Sequence, residues 1–211
     1  MKLYFSPLAC SLATRIALYE AGADAEYVQV DFKTKQTEAG VDYRQIHALG
    51  LVPALVLEDG QLVAENAAVL QYIADRFPDA NLAPRDLLGR ARLRQLLCFI
   101  GTELHKALYI PLLDPNAPPA VKAYASAKEE SRLSWLSTQL AGRAFLLEQF
   151  SIADAYLFAV LNWSQVAPVK LAPFAPIVEF MARMRARPAV AHALAEETEL
   201  YRRELLRTPA A

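Results

Sequence analysis

The sequence predicts two folded parts, an α/β part over residues 1–77 and an all-helical part over residues 88–211. In the first part, strand and helix signals alternate in the order βαβαββα. Residues 78–87 contain the run Pro-Asp-Ala-Asn-Leu-Ala-Pro, which is typical of a linker. Beyond it the strand signals end and helical patterns follow one another. We therefore expect a mixed domain, a linker and a helical domain.

The first part contains four strand signals and three helix signals. The strands are predicted at residues 3–5, 26–32, 51–57 and 61–63. The helices are predicted at about residues 10–21, 41–49 and 65–77. Val28, Val30 and Phe32 alternate with polar residues, so we expect them to share one face of a strand. The strand–helix–strand beginning favours parallel pairing, and the hairpin signal Asp59-Gly60 favours an antiparallel edge.

The helical part has five helix signals. They are predicted at about residues 88–113, 121–140, 151–166, 174–187 and 189–206. The third opens with Ser151-Ile-Ala-Asp154, a capping arrangement that Phe150 precedes at the staple position. We assign this motif a structural role and no catalytic one. Gly101 in the middle of the first helix lowers helix stability, which indicates a close approach by a ligand or a partner.

The composition excludes several classes of partner. Lys and Arg number 22 against 23 Asp and Glu, so no basic patch favours nucleic acid or anionic lipid. Two cysteines and three scattered histidines offer no metal-binding spacing, and we expect no metal. The low cysteine count favours a reducing cytoplasm. We find no signal-peptide pattern and no apolar run that approaches membrane-spanning length.

Cys10 is the first candidate for chemistry. Pro7 prevents the first helix from beginning earlier, so Cys10 and Ser11 fall at or near its first turn. Unpaired N–H groups and the positive end of the helix dipole favour a thiolate there, and the thiolate is the reactive form. A buried structural cysteine is an equally good interpretation of this stretch alone.

Two further features could bind a peptide-like ligand. Pro53 follows Val52 just before an apolar strand, and a cis bond would leave the Val52 backbone free to pair with an extended ligand. An ordinary trans strand start is the alternative. Glu65 and Asn66 open a helix, where an amide and backbone N–H groups would hold a carboxylate and Glu65 an ammonium. Either residue could instead serve only to stabilise that helix.

Taken together, these features resemble the cytosolic glutathione S-transferases, in particular the bacterial beta class. The motifs that carry the resemblance are Pro53 at the place of the family's cis-proline, Glu65-Asn66-Ala-Ala-Val-Leu-Gln-Tyr72, Phe150-Ser-Ile-Ala-Asp154, Cys10 after Pro7-Leu-Ala, and Thr102-Glu103-Leu-His105-Lys106. The resemblance covers nearly the whole chain. It implies a thioredoxin-like βαβαββα domain, an all-helical C-terminal domain and a homodimer.

The resemblance also implies roles for residues of the first part. Cys10 would face the glutathione sulfur and form a mixed disulfide with it. Val52, before Pro53, would pair with the cysteinyl unit of glutathione. Glu65-Asn66 would hold the γ-glutamyl head. Lys35 would lie near the glycyl carboxylate, although a solvated loop charge is an equal alternative.

In the helical part, the resemblance implies that Thr102, Glu103, His105 and Lys106 line the glutathione site, some of them reaching the partner subunit. His105 could orient or deprotonate the thiol, because the pKa range of histidine suits that work. Cys98 stands where relatives commonly carry Asn, so one polar contact to the peptide is expected to be missing or replaced.

The implied function is a glutathione transferase that takes part in detoxification. The glutathione thiolate would be stabilised by Cys10, Ser11 and His105 and would attack an electrophilic, aromatic or halogenated carbon. Cys10 could also carry thiol–disulfide exchange or peroxide reduction with glutathione. Tyr109 and Trp163 are predicted to form an aromatic wall for the hydrophobic electrophile, with plain helix packing as the alternative. Two other functions stay open, a non-enzymatic adaptor and a glutathione-dependent isomerase or dehalogenase.

Overall fold

The computed structural model describes residues 1–207, which form two compact units. The first unit contains residues 1–82 and the last helix, and the second contains residues 83–187. The limits predicted from the sequence, 1–77, 78–87 and 88–211, put that last helix in the helical part. In the structure it packs with the first unit, because its glutamates pair with Arg15.

The regular elements of the described residues are as follows. The strands are β1 Lys2–Phe5, β2 Glu26–Gln29, β3 Ala54–Val56 and β4 Leu62–Ala64. The α-helices are α1 Leu12–Glu20, α2 Asn66–Arg76, α3 Leu87–Phe99, α4 Ile110–Leu113, α5 Pro119–Ser126, α6 Glu129–Leu140, α7 Ile152–Leu161, α8 Ala175–Arg185 and α9 Pro188–Arg207. A π-helical stretch, Ile100–Tyr109, joins α3 to α4. Short 3₁₀ turns occupy Tyr43–Gln45, Pro78–Ala80 and Asn162–Gln165.

The first unit is built on a four-stranded sheet in the order β2-β1-β3-β4. Strand β1 pairs with β2 in parallel and with β3 antiparallel, and β3 pairs with β4 antiparallel. Leu3 of β1 and Leu55 of β3 lie opposite each other and are fully buried. Gly60 takes a φ of +83° at the tip of the β3–β4 hairpin, a conformation that glycine adopts without strain. The predicted mixed sheet and thioredoxin-like arrangement are therefore confirmed.

Two local predictions in the first unit are wrong. The segment predicted as a helix over residues 41–49 forms only the turn Tyr43–Gln45, which the Asp42 carboxylate caps by accepting from the Arg44 N–H. Strand β2 ends at Gln29, so the expected shared face is incomplete. Val30 is buried, but Phe32 is 57 % exposed and its ring covers the Lys35 ammonium at 4.0 Å.

The regular elements of the second unit, residues 83–187, are all helices. Helix α3, the π-helical stretch and α4 run on as one helix, Leu87–Leu113, of 27 residues. An 18-residue window of this helix has a mean hydropathy of 1.3, so by length and composition alone the helix could cross a membrane. A core helix has the same properties, and the buried side chains of Leu93, Leu97 and Leu104 pack inside this unit.

Among the remaining helices, one predicted helix is interrupted by a turn, and one predicted helix start is confirmed. The helix predicted over residues 121–140 is two helices, α5 and α6, which a turn at 127–128 separates. Helix α7 begins where the capping motif predicts. The Asp154 carboxylate accepts from the Ser151 N–H at 2.9 Å, the Ser151 hydroxyl at 3.0 Å and the Leu146 N–H at 2.9 Å. Burial raises the pKa of Asp154 to about 6, against the lowering by these donors.

Candidate active site

Cys10 lies in a tight turn between β1 and α1. The Ser11 hydroxyl closes this turn, because it donates to the Ser6 carbonyl at 3.2 Å and accepts from the Ser6 N–H at 3.3 Å. Ser11 is fully buried, so its hydroxyl has a structural use here. Its expected part in stabilising the glutathione anion stays a prediction. The Cys10 thiol is 9 % exposed and donates to the Val52 carbonyl at 3.3 Å.

The peptide bond between Val52 and Pro53 is cis, so the cis alternative of the sequence interpretation holds. Pro53 is buried, and Val52 is half-buried at the beginning of β3. The Tyr43 hydroxyl donates to the Leu51 carbonyl at 2.8 Å and so anchors this turn from the other side. The cysteine turn and the proline turn meet through the bond from Cys10 to Val52.

The N-terminus of α2 joins the same cluster through Asn66. Its amide nitrogen donates to the Cys10 carbonyl at 2.9 Å, and its amide oxygen accepts from the Thr14 hydroxyl at 3.0 Å. Asn66 is 5 % exposed. We expected this amide, together with backbone N–H groups, to hold a ligand carboxylate. In the structure its oxygen and one of its two N–H groups tie α2 to α1. Thr14 was missed, because nothing in its sequence position shows that it reaches a residue 52 positions away.

Glu65 precedes Asn66 and has a different character. It is exposed, its φ is +66°, and its side chain makes no capping bond to α2. A residue with a β-carbon adopts this backbone conformation at a cost, and such strain is concentrated at functional sites. The Glu65 carboxylate is therefore exposed and has no capping task, and the first N–H groups of α2 have no acceptor within that helix.

Lys35 lies beside Gly50, which is two residues before Val52. It is half-buried with a φ of +60°, and a β-carbon on Gly50 would lie 3.3 Å from its side chain. Burial lowers the pKa of Lys35, and the nearby Arg44 lowers it further. Its ammonium contacts the Phe32 ring rather than the Cys10 cluster. Its predicted contact with a glycyl carboxylate stays a prediction.

His105 is the centre of an aromatic cluster in the second unit. It is 6 % exposed, and its Nδ1 lies 2.8 Å from the Tyr156 hydroxyl. The Trp163 ring makes an edge contact with its ring at a centroid distance of 5.0 Å. Burial, with a smaller contribution from the charge of Lys106, lowers the pKa of His105 to about 4. The imidazole is therefore neutral at pH 7, which suits a hydrogen-bonding role better than proton abstraction. Tyr156 was missed by the sequence analysis.

The two residues of the predicted aromatic wall differ in burial, since Tyr109 is a core residue and Trp163 is half-buried. Tyr109 is fully buried, its hydroxyl pairs with Ser164, and burial raises its pKa. The alternative of plain helix packing accounts for this burial, and a contact of Tyr109 with an electrophile stays a prediction. Trp163 is half-buried between Tyr109 and His105, and its role in binding stays a prediction.

The other predicted residues of the helical part lie along α3 and the π-helical stretch. Cys98 is exposed, and its carbonyl accepts from the exposed Thr102 hydroxyl at 2.9 Å. The Glu103 carboxylate accepts from Arg132 Nε at 3.0 Å and Nη2 at 2.7 Å within the same unit. Lys106 is exposed. Their contacts with glutathione stay predictions. Among residues 1–207 no group of three or more His, Cys, Asp or Glu could hold a metal.

In the first unit, the structure brings a thiol at a helix start, a cis-proline turn and a second helix start together beside a mixed sheet. These features define a thiol site of thioredoxin-like architecture. Residues 1–75 match the glutathione S-transferase N-terminal domain, and residues 99–188 match the glutathione S-transferase C-terminal domain. The chain belongs to the glutathione S-transferase family, and the predicted enzyme class, glutathione transferase, is confirmed.

Three individual proteins illustrate the similarity. Glutathione S-transferase GstA of Escherichia coli O157:H7 is 42% identical over 199 residues, which are 93% of this chain and 98% of that protein. A sphingomonad glutathione S-transferase solved in complex with glutathione is 42% identical, with a TM-score of 0.89, over 94% of this chain and 99% of the other. The bacterial beta-class enzyme of Sphingomonas chungbukensis is 41% identical, with a TM-score of 0.88, over 93% and 98%. The predicted resemblance to the beta class is therefore confirmed.

Proposed function

We propose that this enzyme binds glutathione at the Cys10 cluster and transfers its sulfur to electrophilic small molecules. The observation that carries the proposal is the contact of Cys10 with Val52 at the cis-proline turn, beside the N-terminus of α2. An extended peptide that paired with Val52 would place its own cysteine next to Cys10. The solved sphingomonad relative, which contains glutathione, supports this choice of ligand.

Each part of glutathione has a matching group in this proposal. Glu65 is exposed, in a strained backbone conformation and without a capping task, so its carboxylate is suited to the ammonium of the γ-glutamyl head. The first N–H groups of α2 suit the carboxylate of the same head. The sequence assigns this task to the N–H groups and the Asn66 amide together, and we retain the N–H groups for it. Lys35 is the candidate for the glycyl carboxylate.

The reaction would use the glutathione thiolate as nucleophile. Its sulfur attacks the electrophilic carbon, a C–S bond forms, and in a haloarene the halide leaves with the electron pair of the broken bond. The N-terminal N–H groups of α1 would stabilise the thiolate. His105, neutral at pH 7, would act from the helical domain as a hydrogen-bond partner, together with Thr102, Glu103 and Lys106. Trp163 remains the candidate for contact with the electrophile.

We also propose a disulfide reaction for Cys10. Its thiolate would attack one sulfur of oxidised glutathione, a mixed disulfide would form, and the other glutathione would leave as thiolate. The test compares Cys10→Ala and Cys10→Ser with the wild type in two assays, mixed-disulfide formation by mass spectrometry and conjugation of a chloronitroarene. Both variants should lose the mixed disulfide completely. A mixed disulfide that persists on another residue would contradict the assignment.

The binding site is tested on immobilised glutathione. Glu65→Ala should weaken retention about tenfold, because it removes a charge-assisted contact and no helix cap. Asp24→Ala, which removes another exposed acid of the same unit, serves as the matched control and should be retained like the wild type. Absence of retention for the wild-type protein would refute the proposed function.

The cellular setting is part of the proposal. We place the enzyme in the cytoplasm, because its low cysteine count suits a reducing compartment. There it would act as a homodimer that detoxifies hydrophobic electrophiles. Light scattering coupled to gel filtration should give about twice the 23.4 kDa of one chain. A monomer at micromolar concentration would exclude the dimer. The adaptor and the isomerase or dehalogenase functions are not favoured by the comparisons.

A further inference from the structure

Glu197 is a buried carboxylate of α9 that the proposed reaction does not use. It is fully buried, and one of its oxygens accepts from Arg15 Nε of α1 at 2.9 Å. Its other oxygen accepts from the Leu8 N–H at 2.7 Å. Burial raises the pKa of Glu197 to about 7, while Arg15 and the Leu8 N–H act to lower it. A carboxylate removed from water needs such donors, because an unpaired one is costly to bury.

Leu8 connects this carboxylate to the reactive turn. It lies two residues before Cys10 and has a φ of +59°, a region that residues with a β-carbon rarely adopt. The rest of the turn is closed locally, by the Ala9 N–H on the Ser6 carbonyl at 3.1 Å and by the Ser11 hydroxyl. The Leu8 N–H instead reaches a residue 189 positions away. A short charge-assisted hydrogen bond of this kind fixes the orientation of the peptide group that donates it.

We infer that Glu197 is a positioning residue for Cys10. By holding Leu8 in its left-handed conformation, it keeps the turn in the shape that places the Cys10 thiol against the Val52 carbonyl. Helix α9 thereby sets the accessibility and the orientation of the thiol, in addition to packing against α1. The inference rests on the proposed function only in that Cys10 is the thiol that meets glutathione.

Glu196, the neighbour of Glu197, allows the anchoring of α9 on α1 to be tested separately from the positioning of Cys10. Arg15 lies between the rings of Phe5 and Tyr27, at 4.2 and 4.3 Å from their centroids, and its Nη1 donates to Glu196 at 3.0 Å. Glu196 therefore ties α9 to α1 through the same arginine. Within residues 1–207 its side-chain partners are Arg15, Tyr19 and His192, none of which belongs to the turn of Cys10. A change at Glu196 tests helix anchoring alone, and a change at Glu197 tests both.

The experiment measures how fast iodoacetamide alkylates Cys10. The thiolate attacks the methylene carbon and iodide leaves, and peptide mass spectrometry reports Cys10 and the exposed Cys98 in the same sample. Glu197→Ala should raise the ratio of Cys10 to Cys98 labelling about tenfold, because loss of a bond to a charged group lets the turn open. In the same variant, mixed-disulfide formation with oxidised glutathione should slow about tenfold, because the thiol is no longer aimed.

Glu196→Ala is the matched control and should change both rates by less than about twofold, since it leaves the bond between Glu197 and the Leu8 N–H in place. If Glu197→Ala does not fold, Glu197→Met and Glu196→Met replace the pair, because methionine is of similar size and has no oxygen to accept the Leu8 N–H. An unchanged labelling ratio in a folded Glu197 variant, or an equal change in the Glu196 variant, would overturn the inference. Failure of the wild type to react with oxidised glutathione would count against the proposed function alone, because alkylation requires no glutathione.

Discussion

The burial of His105 predicts that acid destabilises the second unit. The pKa of its imidazole is lowered from 6.5 to about 4 by burial, so the unfolded chain binds a proton at a higher pH than the folded chain. The stability contributed by the neutral histidine is present above about pH 6.5 and is lost as the pH falls towards 4. At pH 5 the loss is about 2 kcal/mol, and below pH 4 it reaches about 3 kcal/mol.

Urea unfolding at pH 8, 6.5 and 5 measures this effect as a difference between the wild type and His105→Gln. The variant does not titrate, and its amide can still meet the Tyr156 hydroxyl. Asp154 and Glu197 have raised pKa values and act in the opposite direction, since their contributions are lost as the pH rises. Both are present in the two proteins, so the subtraction removes them.

The wild type should lose about 2 kcal/mol relative to His105→Gln between pH 8 and pH 5. His192→Gln is the control, because the side chain of His192 is 64% exposed and its replacement should leave this loss in place. A difference between wild type and His105→Gln that stays constant over the pH range would refute the reasoning. It would mean that the imidazole titrates in the folded protein as it does in water.

Three further predictions concern single contacts, each measured by urea unfolding at pH 7.5. Asn66→Ala should lower the free energy of unfolding by about 2–3 kcal/mol, since the Thr14 hydroxyl and a backbone carbonyl lose their partner; an unchanged midpoint would contradict this. Gly101→Ala should raise it by about 0.5–1 kcal/mol, because the added carbon meets the Tyr156 hydroxyl at an ordinary 3.5 Å; a loss would show that the two helices cannot give way. Asp154→Ala should cost about 3 kcal/mol, as it leaves three buried donors unpaired, and a loss below 1 kcal/mol would exclude the capping role.

The features predicted correctly from the sequence are those with local causes. The hairpin at Asp59-Gly60 depends on a residue that accepts a positive φ, and the beginning of α7 depends on Ser151 and Asp154, three positions apart. The end of α1 is similar, because Gly22 has a φ of +60° and donates to the Tyr19 carbonyl at 3.1 Å. Each of these signals lies within a few consecutive residues, so it can be recognised in a single sequence.

The structural features that the sequence did not predict come mostly from contacts between distant parts of the chain. Asn66 looked free at a helix start, but its partner Cys10 lies 56 positions away, and Tyr109 looked available until packing against Ser164 enclosed it. The segment 41–49 does not form the predicted helix, for a different reason. It has few apolar residues at helical spacing, and Asp42 favours a turn by capping with its side chain. Pairings of this kind depend on the fold as a whole, which local propensity does not contain.

Ser11 and Cys10 show how one helix start assigns different tasks to adjacent residues. Both were expected to stabilise an anion there. A hydroxyl is a strong donor and acceptor, and Ser11 uses both capacities to close the turn onto Ser6. A thiol is a weak donor, so its bond to the Val52 carbonyl at 3.3 Å can be exchanged at little cost. If glutathione pairs with Val52 as proposed, it competes for that carbonyl and releases the thiol beside its own sulfur. The weaker hydrogen bond therefore marks the residue that is available for chemistry.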